Sequence, residues 1–322
     1  MTFVLFLIGF VLLIKGGDWL VSGSTSIAKR FGLSDLVVGL TIVSFGTSAP
    51  ELVVNVISSL SGSSEIAVGN VIGSNISNIL LIIGTTAIIC DLPITRDTLL
   101  SDIPFSLSSA ILVGFLANAA IFDEKKELMI SRGDGIILLF FFVLFLAYVF
   151  RIAREQLEQG EKPENVEQID ELPISSSLGY LSLGIFALFL GGKWVVDGAI
   201  ALARILGMSE TFIGLTVIAI GTSLPELVTS LVAAAKKSVD IAVGNAIGSN
   251  IFNILWILGL SSLIKPLPFS VITNSDILVL IFTSSLLILS LATGKRHAID
   301  RNDGVIFVVL YGAYMIFCIY RG

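Results

Sequence analysis

The first half of this 322-residue chain returns in the second half at a constant offset of 175. Gly16 returns as Gly191, Trp19 as Trp194, Gly39 as Gly214, Thr41 as Thr216, Pro50 as Pro225, Glu51 as Glu226, Asn70 as Asn245, Asn78 as Asn253 and Gly84 as Gly259. No gap is needed between positions 16 and 84, and beyond them the register drifts, Asp134-Gly135 matching Asp303-Gly304. A duplicated unit constrains the fold before any element is assigned, because two copies of one apolar pattern bury themselves in related ways.

The copies are written in membrane-spanning lengths. With 55% hydrophobic and 14% charged residues and a mean hydropathy of +0.97, the chain lies far from the soluble average of about 25% charged. Apolar runs divided by turn-rich or charged breaks give about ten spans of roughly 20 residues. They fall near 2–28, 35–60, 66–89, 103–122, 132–152, 175–204, 209–235, 241–264, 276–293 and 303–320. The expected fold is therefore an all-α membrane protein, with a first five-helix repeat over 1–153, an acidic linker over 154–174 and a second five-helix repeat over 175–322. Met1 to Ile14 carries no positive n-region and reads as the start of a first span rather than a cleaved signal.

Five spans per copy is an odd number, so the second copy must enter the membrane from the opposite side. The two halves are then related by a pseudo-twofold axis in the membrane plane, the arrangement of alternating-access carriers. Lys29, Arg30, Arg96, Arg151, Arg154, Lys236 and Lys237 weight one side of the connections, and the cluster Lys125, Lys126 and Arg132 lies on the other. The positive-inside rule places the linker in the cytoplasm and both termini outside. In the linker Glu155, Glu158, Glu161, Glu164, Glu167 and Asp170 recur every third residue, a solvated pattern without an EF-hand loop.

Composition also removes chemistries. One histidine, His297, and two cysteines, Cys90 and Cys318, leave no repertoire for a zinc site, a serine-histidine triad or a paired-cysteine centre. No basic stripe points to nucleic acid. A cofactor-free protein that is not an enzyme is the expectation.

Gly46-Thr-Ser-Ala-Pro-Glu51 and Gly221-Thr-Ser-Leu-Pro-Glu226 set a carboxylate just after a proline in the middle of an apolar run. A carboxylate at that depth is costly to hold and marks a functional site. Pro50 and Pro225 lack the N–H that the carbonyls of Gly46 and Gly221 would accept, so both spans should bend or break there. Freed carbonyls, the hydroxyls of Thr47, Ser48, Thr222 and Ser223, and the two glutamates form a dense set of hard oxygen ligands suited to Ca2+ or Na+. Ser74 and Asn78, like Ser249 and Asn253, are four apart and share a helix face. Asn75 and Asn250 lie one residue around and are expected to face a partner helix. Serines, asparagines and Gly69, Gly73, Gly244 and Gly248 in apolar helices also serve plain helix packing. Lys15 with Asp18, and Lys193 with Asp197, are spaced to neutralise each other along their own helices.

The paired GTSxPE and GNxIGSNI motifs resemble the alpha repeats of the cation/calcium antiporter superfamily, the sodium/calcium exchangers, across most of the chain. The resemblance implies ten helices in two inverted five-helix halves and antiport of Ca2+ against Na+. Helices two, three, seven and eight would hold the ions and helices one and six would slide as a gate. It implies ion ligands at Thr47, Ser48, Glu51, Ser74 and Asn78, at Thr222, Ser223, Glu226, Ser249 and Asn253, and at the backbone carbonyls of Ser44 and Ala219. Many members carry aspartate where this chain has Asn253. Two glutamates balance one Ca2+ and leave one charge of three Na+ uncompensated, so fewer Na+, another co-ion such as H+ or K+, or neutral ligands sufficing are all open. The partners expected are Ca2+, Na+ and the bilayer around a monomer, with a Ca2+/H+ or K+-dependent exchanger as the alternative. A cation channel is the reading from another class, and an inverted pair argues against its multi-repeat filter.

Overall fold

The computed structural model describes residues 2–61, 64–119, 128–159, 172–207, 219–293 and 298–321. Helices α1 (Thr2–Phe31), α3 (Ala67–Ile89), α4 (Thr98–Ala117), α5 (Arg132–Glu158), α6 (Ile174–Ile205), α8 (Val239–Ile264), α9 (Ile272–Ala292) and α10 (Arg301–Tyr320) are each long and apolar enough to cross a membrane. Helix α2 is two pieces, Asp35–Thr47 (α2a) and Ala49–Ser61 (α2b), bent by 46° at their junction. Helix α7 (Leu224–Ala235) is preceded by a short helical turn, Ala219–Thr222. Most of the linker, and the stretch 208–218 in which a seventh span was expected to begin, lie outside the described residues.

The copies pack on each other's counterparts. Gly9 of α1 lies against Gly191 of α6, Gly16 against Gly184 and Gly23 against Ser177, so rising numbers on one helix meet falling numbers on the other and the two run antiparallel. A Cβ at Gly184 would sit 2.7 Å from the Leu20 nitrogen and one at Gly191 2.8 Å from the Gly9 oxygen, so only glycine allows this approach. These two helices share one apolar cluster built on Leu13, Leu20, Leu181, Leu188 and Val195. A larger cluster binds the remaining spans around Ile72, Ile76, Leu80, Ile251, Leu255 and Leu258.

The same exchange recurs at the ends of the spans. The all-α expectation holds for the membrane-spanning elements, but four two-residue strands were not foreseen: β1 (Leu92–Pro93), β2 (Met129–Ile130), β3 (Leu267–Pro268) and β4 (Ala298–Ile299). Leu92 pairs with Ile299 and Ile130 with Leu267, each strand of one copy bonding antiparallel to the other copy. Gly84 of α3 abuts Phe307 and Gly304 of α10, while Gly259 of α8 abuts Leu139 and Gly135 of α5. Asn118, just past the end of α4, and Asn274, near the start of α9, exchange reciprocal amide bonds of 2.7 and 2.8 Å.

Two irregularities aim the interior at one place. Ser48 and Ser223 share one backbone conformation, φ −82°, ψ 5° and φ −87°, ψ 5°, each ending a short helical turn before the next helix starts. Pro225 occupies the first turn of its helix and Pro50 the second position of α2b, where the missing N–H has no intrahelical partner to lose. In α3 and α8 the helix widens to π-helical turns at Asn78–Ile83 and Phe252–Ile257, a device that re-aims side chains at functional sites.

Candidate ion site

The breaks in α2 and α7 place Glu51 and Glu226 in the first turns of their helices. There the unpaired N–H groups carry partial positive charge, which favours a carboxylate. The two side chains are 0% and 1% exposed and lie within electrostatic reach of each other. Ser48 crosses from the first copy to donate its Oγ–H to Glu226 Oε1 at 3.0 Å. The hydroxyls of Ser74 and Thr222 lie beside Glu51, yet neither of its oxygens has a partner in hydrogen-bond geometry.

Of the residues singled out in the sequence, Ser44, Thr47, Ser48, Glu51, Ser74, Asn78, Ser223, Glu226, Ser249 and Asn253 are all buried. Ser74 Oγ, Asn78 Oδ1, Ser223 Oγ, Glu226 Oε2, Ser249 Oγ and Asn253 Oδ1 join the two Glu51 oxygens as buried polar atoms without a protein partner. A buried orphaned polar atom costs about 1–3 kcal/mol. All eight are oxygens and two carboxylates are among their sources, the donor type that suits a hard cation; other buried polar atoms, Ser24 Oγ, Asn55 Oδ1 and Thr229 Oγ1 among them, also lack a partner.

The remaining predicted side-chain ligands are engaged. Thr47 Oγ1 donates to Asn245 Oδ1 at 2.9 Å, and Thr222 Oγ1 to Asn70 Oδ1 at 3.3 Å. The Ser44 carbonyl accepts from the Ser48 N–H at 3.0 Å and contacts Thr47 Oγ1 at 3.4 Å. At the mirrored Ala219 the pattern differs, because the Ser223 N–H bonds to Ile220 instead.

Asn245 and Asn70 are supporting residues that the sequence reading noted only as repeat matches. Asn245 also donates to the Glu226 carbonyl at 3.2 Å and to Ser230 Oγ at 3.0 Å, whereas the Nδ2 of Asn70 is buried without a partner. The Glu226 carbonyl is thus held from another helix, whereas the Glu51 carbonyl is held from its own helix, by Asn55 Nδ2 at 2.8 Å.

The pairing expected between Lys15 and Asp18 is corrected by the structure. Asp18 instead meets Lys236, at the end of α7, at 2.5 Å, and Lys236 also donates to Ser22 Oγ at 2.7 Å. That cross-helix tie holds α1 against α7, where Gly17 faces Val228 and Val232. On the other side of the site α6 stands off α2b, leaving a cavity of about 260 Å³ lined by Pro50, Val53, Lys193, Asp197, Thr222 and Pro225 among others.

The family model described as sodium/calcium exchanger protein matches residues 1–151 and 176–320. The chain belongs to the sodium/calcium exchanger family. That family consists of membrane transporters rather than enzymes, and the apolar helices make this member a multi-pass membrane protein. The chain is 41% identical over 266 residues to the inner membrane protein YrbG of Escherichia coli (strain K12), covering 81% of this chain and 79% of that one. It is 33% identical to the sodium/calcium exchanger MaX1 of Methanosarcina acetivorans, covering 99% of each. A solved structure of the sodium-calcium exchanger NCX_Mj is similar over 98% of this chain and 97% of its own, with a TM-score of 0.78 at 34% identity.

Proposed function

We propose that this member of the family is a secondary antiporter exchanging Ca2+ for Na+ at a midplane site built around Glu51 and Glu226. The observation that carries the reading is the set of unpartnered, buried oxygens from both copies, three of them from the carboxylates of Glu51 and Glu226 and five from Ser74, Asn78, Ser223, Ser249 and Asn253. The ions would be held by the side chains of Thr47, Ser48, Glu51, Ser74, Asn78, Thr222, Ser223, Glu226, Ser249 and Asn253, with the carbonyls of Ser44 and Ala219. A bare pair of carboxylates is expensive to move through the bilayer interior, so the empty site stays put and the loaded site reorients; this is what couples the two fluxes.

The halves 1–153 and 175–322 are inverted five-helix repeats joined by a cytoplasmic linker, with both termini outside. Antiparallel α1 and α6 and the exchanged strand pairs support that topology. Alternating access is supported by the asymmetry across the site, since α1 is tied to α7 through Lys236 while a cavity separates α6 from α2b. The MaX1 and NCX_Mj relatives, named as sodium/calcium exchangers, support the ion pair. The chain acts as a monomer, each copy of the unit supplying half the site.

The test is radiolabelled Ca2+ uptake into proteoliposomes under Na+, K+ and pH gradients imposed one at a time. An outward Na+ gradient drives uptake on this account. Uptake under a pH gradient alone would replace it with Ca2+/H+ exchange, and fast flux without any counter-ion would replace it with a channel.

A further inference from the structure

At the crossing of α3 and α8, four asparagines from the two copies bond to one another. Asn75 Nδ2 donates to the backbone carbonyl of Asn250 at 3.0 Å. Asn253 Nδ2 donates to Asn75 Oδ1 at 3.0 Å, and Asn78 Nδ2 donates to Asn250 Oδ1 at 3.0 Å. All four side chains are at most 2% exposed. For Asn75 and Asn253 the sense of the amide is fixed by one group. A backbone carbonyl can only accept, so Asn75 must turn its NH2 to Asn250 and its oxygen to Asn253. Asn253 must then present its own NH2 to Asn75, which leaves its oxygen directed elsewhere. The oxygen so displaced, Asn253 Oδ1, has no protein partner, and neither has Asn78 Oδ1, whose NH2 is taken by Asn250 Oδ1.

We propose that Asn75 and Asn250, neither of them an ion ligand, are the positioning residues of the cation site, each holding the amide of the other copy's ligand so that its oxygen and not its NH2 meets the ion. The inference rests on the ion-site reading given above. An amide that was free to turn would spend part of its time offering N–H donors to a cation. The cross-bonds remove that state, and because each clamp comes from the opposite copy, the two halves of the site are oriented together. Partners that orient a metal ligand typically change affinity by about 10–100-fold when removed.

The test is Ca2+ binding by titration calorimetry to the purified full-length protein in detergent, with Asn75→Ala, Asn253→Ala, the double variant and Glu51→Gln measured alongside the unaltered chain. Asn75→Ala is expected to weaken Ca2+ binding by about tenfold. Acting through Asn253, it adds no further loss in the Asn253→Ala background, so the double variant binds as Asn253→Ala does, within about twofold. Asn75→Ser serves if the alanine variant does not fold: its hydroxyl keeps a polar group in the helix crossing but is too short to reach both partners, and the same loss is expected. Unchanged affinity in both variants overturns the proposal, as does a double variant whose losses multiply, the signature of a merely structural residue. If Glu51→Gln binds Ca2+ as the unaltered chain does, the ion-site reading falls and the positioning role with it. If Glu51→Gln loses binding while Asn75→Ala does not, only the positioning role falls.

Discussion

Asn70 and Asn245 occupy the same place in the two copies, yet replacing each by alanine is expected to give unlike results. Asn245 accepts from Thr47 Oγ1 and donates to the Glu226 carbonyl and to Ser230 Oγ. Three buried bonds at about 0.6–1 kcal/mol each, the range for helix–helix bonds in membranes, come to roughly 2–3 kcal/mol. Asn70 accepts one long bond, from Thr222 at 3.3 Å, and its buried Nδ2 has no partner. Removing that orphaned donor returns about 1 kcal/mol or more, which cancels the single bond lost. The expected gap between Asn245→Ala and Asn70→Ala is therefore about 2 kcal/mol, or roughly 5 °C in the midpoint of thermal unfolding of the detergent-solubilised protein. Ca2+ affinity should fall in Asn245→Ala as well, because the Thr47 hydroxyl and the Glu226 backbone lose their common anchor. Equal losses of stability in the two variants would refute the reasoning that Asn245 braces its half across the helices and Asn70 does not.

Further expectations follow from the packing of α1 on α6 and α7. Lys236→Ala removes the tie between α7 and α1 at Asp18 and Ser22 and should raise hydrogen exchange along the α1 segment that includes Asp18 and Ser22; unchanged exchange there would remove its role in holding α1 against α7. Gly184→Val drives a side chain into the Leu20 nitrogen and the Gly16 carbonyl, whereas a Cβ at Gly179 meets nothing within 4 Å. Overpacking costs about 1–3 kcal/mol, so Gly184→Val should unfold several degrees lower than the unaltered protein and Gly179→Ala should not; equal midpoints would contradict the close α1–α6 contact.

The sequence made some of this legible and hid the rest for physical reasons. Glu51 and Glu226 stood out because a carboxylate in an apolar span is costly to hold, and Pro50 and Pro225 announced the helix breaks at Ser48 and Ser223 because proline cannot donate. The repeat register carried Asn70 and Asn245 without revealing that they hold threonine hydroxyls. Asn75 and Asn250 were placed toward a partner helix by periodicity, and they do cross to the other copy. Their role as clamps depended on which atom meets which, and spacing does not encode that. Local spacing also misled: Asp18 was matched to Lys15 three residues away, but its partner is Lys236, 218 residues further on and brought close only by the packing of α1 on α7. The π-helical turns at Asn78 and Phe252 insert one residue into an otherwise regular apolar pattern, too small a change for hydrophobic periodicity to register. The two-residue strands are likewise shorter than any alternation that could signal them.

The central claim, that two glutamates contributed by opposite copies hold the transported cation between them, is tested most directly by Na+-gradient-driven Ca2+ uptake in proteoliposomes carrying Glu51→Gln or Glu226→Gln. Each change alters one oxygen and keeps the side-chain shape, so both proteins should remain folded by thermal unfolding while uptake falls to the level of empty vesicles. Full uptake in either variant would contradict the account.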